Sequence, residues 1–357
     1  MKKLLIGSSA LISAAAFSTA AFAQEAPEVS LSGQFDWAYV VQDTDGSGAT
    51  DGVDGDDINA GNSGTHLIWD VNGTADNGLT YGARLDWRTA SDSIDEHYIS
   101  VGGGFGTVHL GADDSVIDNM APGGESVLLG DFLWDGNNQP GSPSGAATAF
   151  ATLAASTSDN PKIAYYSPSF SGLQIGVDYT PDSTEGNFTD GVQNGAQGSG
   201  AAFEGAINYS GDFSGVGVSA GIGYHAGEGG DSLQDDEGLM AGFTVSVAGF
   251  GLGVGYGDNG DTGCAPNANN CDGGGWWNVG ASYSFGAAGV YAGWMQSEVT
   301  NSALGDDELD QYGFGVDYTI AEGLSAYGQY MIQDGDDASA NTSGETDSLI
   351  LGTTVSF

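Results

Sequence analysis

The stretch LQIGVDYT, Leu173–Thr180, decides the fold. Leu173, Ile175, Val177 and Tyr179 fall on one side of an extended chain, and Gln174, Gly176, Asp178 and Thr180 on the other. A period of two over eight residues describes a strand with one apolar face. The same alternation recurs to either side. In LTYGARLDW (Leu79–Trp87), Leu79, Tyr81, Ala83, Leu85 and Trp87 oppose Thr80, Arg84 and Asp86, with Arg88 following on the polar side. In VSLSGQFDWAYV (Val29–Val40), Val29, Leu31, Phe35, Trp37 and Tyr39 oppose Ser30, Ser32, Gln34, Asp36 and Ala38.

Sixteen such segments begin near Glu28, Asn62, Leu79, Ile94, Thr107, Pro161, Leu173, Gly200, Val216, Glu237, Phe250, Trp276, Gly289, Glu308, Leu324 and Thr346. Short links such as TADNG, SFSG and IAEG alternate with long ones rich in Asp, Gly and Asn, at 43–61, 182–199, 228–236 and 258–275. One link is exceptional and runs from about 113 to 160. Strands of about ten residues, with short turns at one end and long polar loops at the other, predict an all-β, transmembrane antiparallel barrel of sixteen strands. Its apolar face would meet lipid, its polar face would line a lumen, and Trp37, Tyr39, Trp69, Trp87, Tyr179, Tyr209, Trp276 and Trp277 would form interfacial girdles. A soluble β-sandwich, with the apolar face as its core, is the competing fold.

Lys2 and Lys3, the apolar run to Phe22 and the A-x-A site Ala21–Ala23 read as a secretory signal over 1–23, with the barrel domain at 24–357; a membrane anchor is the alternative for this segment. The formal net charge is −43, with 48 Asp and Glu against five Lys and Arg. Loss of 1–23 would leave Arg84, Arg88 and Lys162 as the lysines and arginines. Such a chain repels nucleic acid and attracts cations. Its self-repulsion predicts a need for screening salt. Cys264 and Cys271 predict a disulfide in an exported chain, worth about 2.5 kcal/mol by loop entropy.

The last strand, SLILGTTVSF (348–357), alternates and ends on Phe357, which reads as an assembly signal for outer-membrane barrels. With FGTVHLGADDS (Phe105–Ser115), KIAYYSPSFSGLQIGVDY (Lys162–Tyr179) and VSLSGQFDWAYV, it carries a resemblance to a family. The chain resembles the trimeric porins of Gram-negative bacteria, most of all the sixteen-stranded porins of alphaproteobacteria such as Rhodobacter. The resemblance implies short periplasmic turns, long external loops and a third loop, about 113–160, folded into the pore. It implies a homotrimer in the outer membrane, in contact with lipid and lipopolysaccharide and delivered by the barrel-assembly machinery. It implies passive diffusion of small hydrophilic solutes through a water-filled channel.

It also implies a constriction with bases on the wall and acids on the loop. Carried onto this chain, the wall residues are Arg84, Arg88, Lys162 and Asp86. The loop acids are Asp113, Asp114, Asp118, Glu125, Asp131 and Asp135. The usual wall is richer in Arg, and ESVLLGDFLWDG stands where the usual loop tip would be. Leu128, Leu129, Phe132, Leu133 and Trp134 would pin this loop to the wall, or favour solutes with an apolar part. The excess of carboxylates predicts cation selectivity. A substrate-selective channel is the runner-up.

Catalysis has little support: His66, His97, His109 and His225 are scattered, and no HExxH occurs. No cofactor is required. The stretch DTDGSGATDGVD (43–54) matches a twelve-residue calcium loop through Asp43, Asp45, Asp51 and Asp54. Alternating segments flank it where an EF-hand needs helices, so it reads as an acidic external loop, with calcium as a candidate ligand. A calcium-binding β-roll would need tandem nine-residue repeats, and none occurs.

Overall fold

The structure, a computed structural model, describes residues 26–46, 55–60, 65–88, 93–128, 156–181, 200–229, 234–262, 264, 271–301, 305–337 and 342–357. The first half of the sheet comprises β1 (Glu28–Gly46), β2 (Gly55–Ala60), β3 (His66–Thr74), β4 (Thr80–Arg88), β5 (Ser93–Gly103), β6 (Gly106–Ala112), β7 (Pro161–Tyr166) and β8 (Leu173–Thr180). The second half comprises β9 (Ala202–Asp212), β10 (Val216–Gly227), β11 (Asp236–Val247), β12 (Phe250–Asp258), β13 (Cys271–Phe285), β14 (Ala288–Asn301), β15 (Asp306–Ala321), β16 (Leu324–Asp337) and β17 (Thr342–Ser356). A short α-helix, α1 (Val116–Met120), lies between β6 and β7.

These seventeen segments fill sixteen positions. One half of β1 pairs with β3, in the register Gln34↔His66, and the other half with β2, in the register Trp37↔Ala60. So β2 and β3 share one lane beside β1. The ring closes where β1 pairs with β17 along thirteen residue pairs, from Gln34↔Ser356 to Gly46↔Gly344. Closure removes the unpaired edges that lipid cannot satisfy.

Burial is inverted relative to a soluble protein. Leu31, Ile99, Ile163 and Phe314 are 52–59 % exposed on the outside, while Gln311, Gln329 and Gln333 are at most 1 % exposed within. A β-sandwich would reverse this, so the competing fold is excluded. Outward rings pack across strands, including Phe250–Tyr283 at 4.2 Å and Tyr256–Trp277 at 4.4 Å.

At one end the links are tight. Ser171–Gly172, Ser214–Gly215 and Ala248–Gly249 each hold two consecutive residues at φ 51–90°. That is the geometry of two-residue hairpin turns whose twist matches the strands. At the other end β1 extends further than the sequence suggests. Asp43 and Asp45 stand on the strand, opposite Asp347 and Glu345, rather than opening a loop. The hydrogen-bonded ladder holds this chain extended, and a calcium loop must curl there. Asp51 and Asp54 lie outside the described residues.

Candidate functional site

The third link turns inward from the end of β6. Ser115 caps α1, its Oγ accepting from Asp118 N at 3.2 Å. Val116, Ile117 and Met120 of α1 are buried. Val116 and Met120 cluster with Ala164 and Ala206, and Ile117 and Ala121 with Met240 and Trp276. The chain then crosses the inner faces of β11, β12 and β13. Gly124 N donates to Asn278 Oδ1 at 2.7 Å. A side chain at Gly242 would strike the Pro122 carbonyl, and one at Gly280 the Gly124 carbonyl. Leu128 reaches the cluster of Tyr291 and Met331. The loop thus lies in a trough of small residues along the lumen wall.

Arg84, Asp86 and Arg88 alternate inward on β4. Arg84 is paired with Glu96 at 2.7 Å and Asp70 at 3.7 Å, and Arg88 with Asp95 at 2.7 Å. Strict alternation would send Asp95 and Glu96 to opposite faces. A register shift between Leu85 and Trp87, which pair with His97 and Ile94, inserts an extra residue in β5. This bulge lets both acids serve the arginines. Asp86 is buried and 3.1 Å from His66 Nδ1.

Lys162 departs from the expected pore wall. It is 3 % exposed, and its Nζ donates to the main-chain oxygens of Asp113 and Ser158. Burial under the two ends of the loop takes its charge out of the open lumen and makes it a clasp. The loop acids also depart from the expectation, because the described ones hold the loop more than they face the arginines. Asp113 Oδ2 lies 2.5 Å from His109 Nδ1. Asp118 Oδ2 accepts from Ser156 Oγ at 3.2 Å. Burial, with Glu204 nearby, raises the Asp118 carboxyl to about 7. Burial raises Asp159 to about 8, helped by Asp114, with which it shares a hydrogen bond. Asp131, Asp135 and the Glu125 side chain lie outside the described residues, as do Leu129, Phe132, Leu133 and Trp134.

Behind the loop sits a cluster with no motif in the sequence. Glu204 accepts from Thr157 N at 2.8 Å and Thr157 Oγ1 at 2.7 Å, and pairs with His225 Nδ1 at 2.8 Å. Asp178 Oδ2 accepts from Val116 N at 2.9 Å. Alternation places these residues inward, which is the signal that could have found them. Between the β4–β8 wall and α1 remains a cavity of about 440 Å³, lined by Arg84, Glu96, Tyr98, His109, Asp113 and Asn119 among others. Arg84 and the loop acid Asp113 meet there, so this is where wall and loop charges share one space.

A closed antiparallel barrel with its third loop laid inside is matched by a family profile. The profile of the Gram-negative porins covers residues 10–338. The chain belongs to the Gram-negative porin family. A monosaccharide porin from Halomonas sp is 23 % identical over 297 residues, 76 % of this chain and 75 % of that protein. The anion-selective porin of Comamonas acidovorans superposes with a TM-score of 0.65 at 18 % identity, over 93 % of this chain and all of that one. A double mutant of the Rh. blastica porin gives 0.54 at 21 % identity, over 92 % and 100 %. At these identities the two structures share the fold, and the family match makes this porin an outer-membrane β-barrel channel. Phe357 closes its ring: Phe357 and Gly33 exchange N–H···O bonds of 3.1 Å, and the Phe357 ring stacks with Phe35 at 6.2 Å. Cys264 is buried and disulfide-bonded, and Cys271 is the chain's other cysteine.

Proposed function

We propose that this porin is a homotrimeric, water-filled channel that passes small hydrophilic solutes passively and prefers cations. The observation that carries the reading is the third loop seated across the lumen wall, which narrows the barrel beside Arg84. Cation preference is supported by charge. The arginines of the wall are each paired with a carboxylate, so they offer little net positive potential, while 48 acids crowd the chain. A pore of that balance raises the local cation concentration.

Wall height supports assembly into trimers. β6, β7 and β8 have seven, six and eight residues. At about 3.3 Å per residue and a tilt of about 40° they rise about 15–20 Å, short of the ~25 Å apolar band. A neighbouring protomer would cover the polar loop stem that so low a wall leaves near lipid depth. Reversal potentials in a KCl gradient test the selectivity, and an anion-selective potential would overturn it. Migration in SDS before and after boiling tests the assembly: an oligomer that collapses to about monomer size on heating is expected.

A further inference from the structure

We infer that a notch on the outer wall, where β12, β13 and β14 reach the end opposite the tight turns, binds the ammonium head group of a membrane amphiphile. The inference goes beyond the channel reading, because the notch faces away from the lumen. Its cavity holds about 280 Å³ and is lined by Tyr256, Asp258, Asp272, Trp277, Gln296 and Glu298 among others.

Register builds the notch. Directly opposed residues of an antiparallel pair share a face. Tyr256, Trp277 and Gln296 form one row across the three strands, and Asp258, Gly275 and Glu298 form the next row toward the strand ends. Trp277 is 51 % exposed, which marks the face as the outer one. Gly275 has no side chain to fill the middle of its row. The notch therefore has the Tyr256–Trp277 rings, 4.4 Å apart, along its lower border and a carboxylate on either side. The strand bulges between Asp272 and Gly275, and Asp272 also borders the cavity.

Neighbouring rings mark its depth. Along this wall the polar tip of a ring repeatedly donates to a carboxylate one row closer to the strand ends. Tyr256 Oη reaches Asp258 Oδ2 at 3.0 Å, Trp294 Nε1 reaches Asp310 Oδ1 at 3.0 Å, and Tyr330 Oη reaches Asp347 Oδ1 at 2.7 Å. Rings with one wet tip stand at the boundary between hydrocarbon and head groups. Below them Leu252 and Val279 continue the exposed apolar wall.

The notch has acids and a ring but no base. Arg84, Arg88 and Lys162, the lysines and arginines among the described residues, stand on β4 and β7. Asp258 and Glu298 are two strand spacings apart, about 9–10 Å. One metal ion, with ligands at about 2.3–2.6 Å, does not span that gap. Among the described residues no three acids or histidines converge to hold a metal ion. A broad organic cation fits instead. An ammonium group can lie on the Trp277 ring and meet the flanking carboxylates through charge-assisted hydrogen bonds. Its chains then run down the wall past Val279. A head group with a phosphate and no ammonium would meet only like charge.

The test is lipid retention by the purified full-length protein in dodecyl maltoside, counted by native mass spectrometry. The probe is dioleoyl phosphatidylethanolamine. The control is dioleoyl phosphatidylglycerol, which has the same chains and no ammonium. Saturable retention of the first at a concentration at least about tenfold below the second is expected. Asp258→Asn with Glu298→Gln should raise the half-saturating concentration at least about fivefold, and Trp277→Leu should shift it in the same direction. Asp76→Asn with Glu322→Gln removes the same charge at the tight-turn end and should leave it unchanged. Each variant is first checked for an unchanged heat-dependent shift in SDS. Equal retention of the two lipids, a half-saturating concentration unmoved in either site variant, or an equal shift in the tight-turn variant would overturn the site. Displacement of the bound lipid by ethanolamine hydrochloride at matching concentrations would overturn the assignment to an amphiphile in favour of a soluble amine.

Discussion

Lys162 donates to carbonyl oxygens at both ends of the third loop, so one ammonium joins two chain segments forty-five residues apart, Asp113 and Ser158. Replacing it with methionine keeps the bulk and removes the donors. The buried Asp113 carbonyl and the half-buried Ser158 carbonyl then lose their partner, a cost of about 1–3 kcal/mol each where water cannot replace it. Lys162→Met is expected to increase current noise in single channels and to expose the loop to proteinase K. Two carboxyls make the same docking depend on pH. Asp118 and Asp159 are raised to about 7 and about 8 from an ordinary 3.8. At these two groups the docked loop therefore binds more protons than the undocked one. The part of its stability that these two carboxyls contribute is full below about pH 4 and is lost as pH rises through about 7 to 8. Protease protection of the loop should fall across that window, and Asp118→Asn should flatten the lower part of the profile. Lys162 shows the limit of what alternation reveals. Its inward direction was legible at Lys162-Ile163-Ala164-Tyr165, but its depth depends on a loop stem folding over it, which no strand periodicity records.

At the scale of elements, the strand lanes were legible because lipid on one side and lumen on the other impose a strict period of two. What alternation cannot register is a shift. The extra residue in β5 changes the face on which Asp95 stands, so the partners of Arg84 and Arg88 come from the wall itself. The trough for the loop was equally hidden, because Gly242 and Gly280 look like two more glycines among 62 until Pro122 and Gly124 are seen against them. Gly242→Val should force the Pro122 carbonyl off the wall. The expected result is an intact barrel, read as normal heat-dependent migration, with an altered single-channel conductance. A conductance equal to that of the native protein would show that the loop is not held there.

Over the whole molecule, charge is distributed in a way that costs stability in dilute buffer. Near the ends of β14–β17 and β1, carboxylates stand directly opposite one another: Glu298 and Glu308, Glu308 and Asp336, Asp310 and Asp334, and Asp45 and Glu345. Like charges in such cross-strand positions repel, by about 0.2–1 kcal/mol per pair. Salt shortens the reach of that repulsion from ~30 Å at 0.01 M to ~3 Å at 1 M. The midpoint of heat-dependent unfolding should therefore rise by several degrees between those salt concentrations. A midpoint that does not move would mean that the carboxylates are neutralised by bound protons or ions.

The bond pair between Gly33 and Phe357 also sets a clock on biogenesis. Residues 324 positions apart must meet before the ring exists, and until they do the ribbon keeps two unpaired edges, on β1 and β17. No hairpin added along the way can rest in lipid on its own. Translation and export of residue 357 must therefore precede closure, and a ribosome stalled earlier yields a ribbon with two open edges, fit for degradation rather than insertion. Phe357→Ala, which removes the stacking partner of Phe35 but keeps the backbone bonds, should slow this final step and let periplasmic proteases consume more of the chain before it closes.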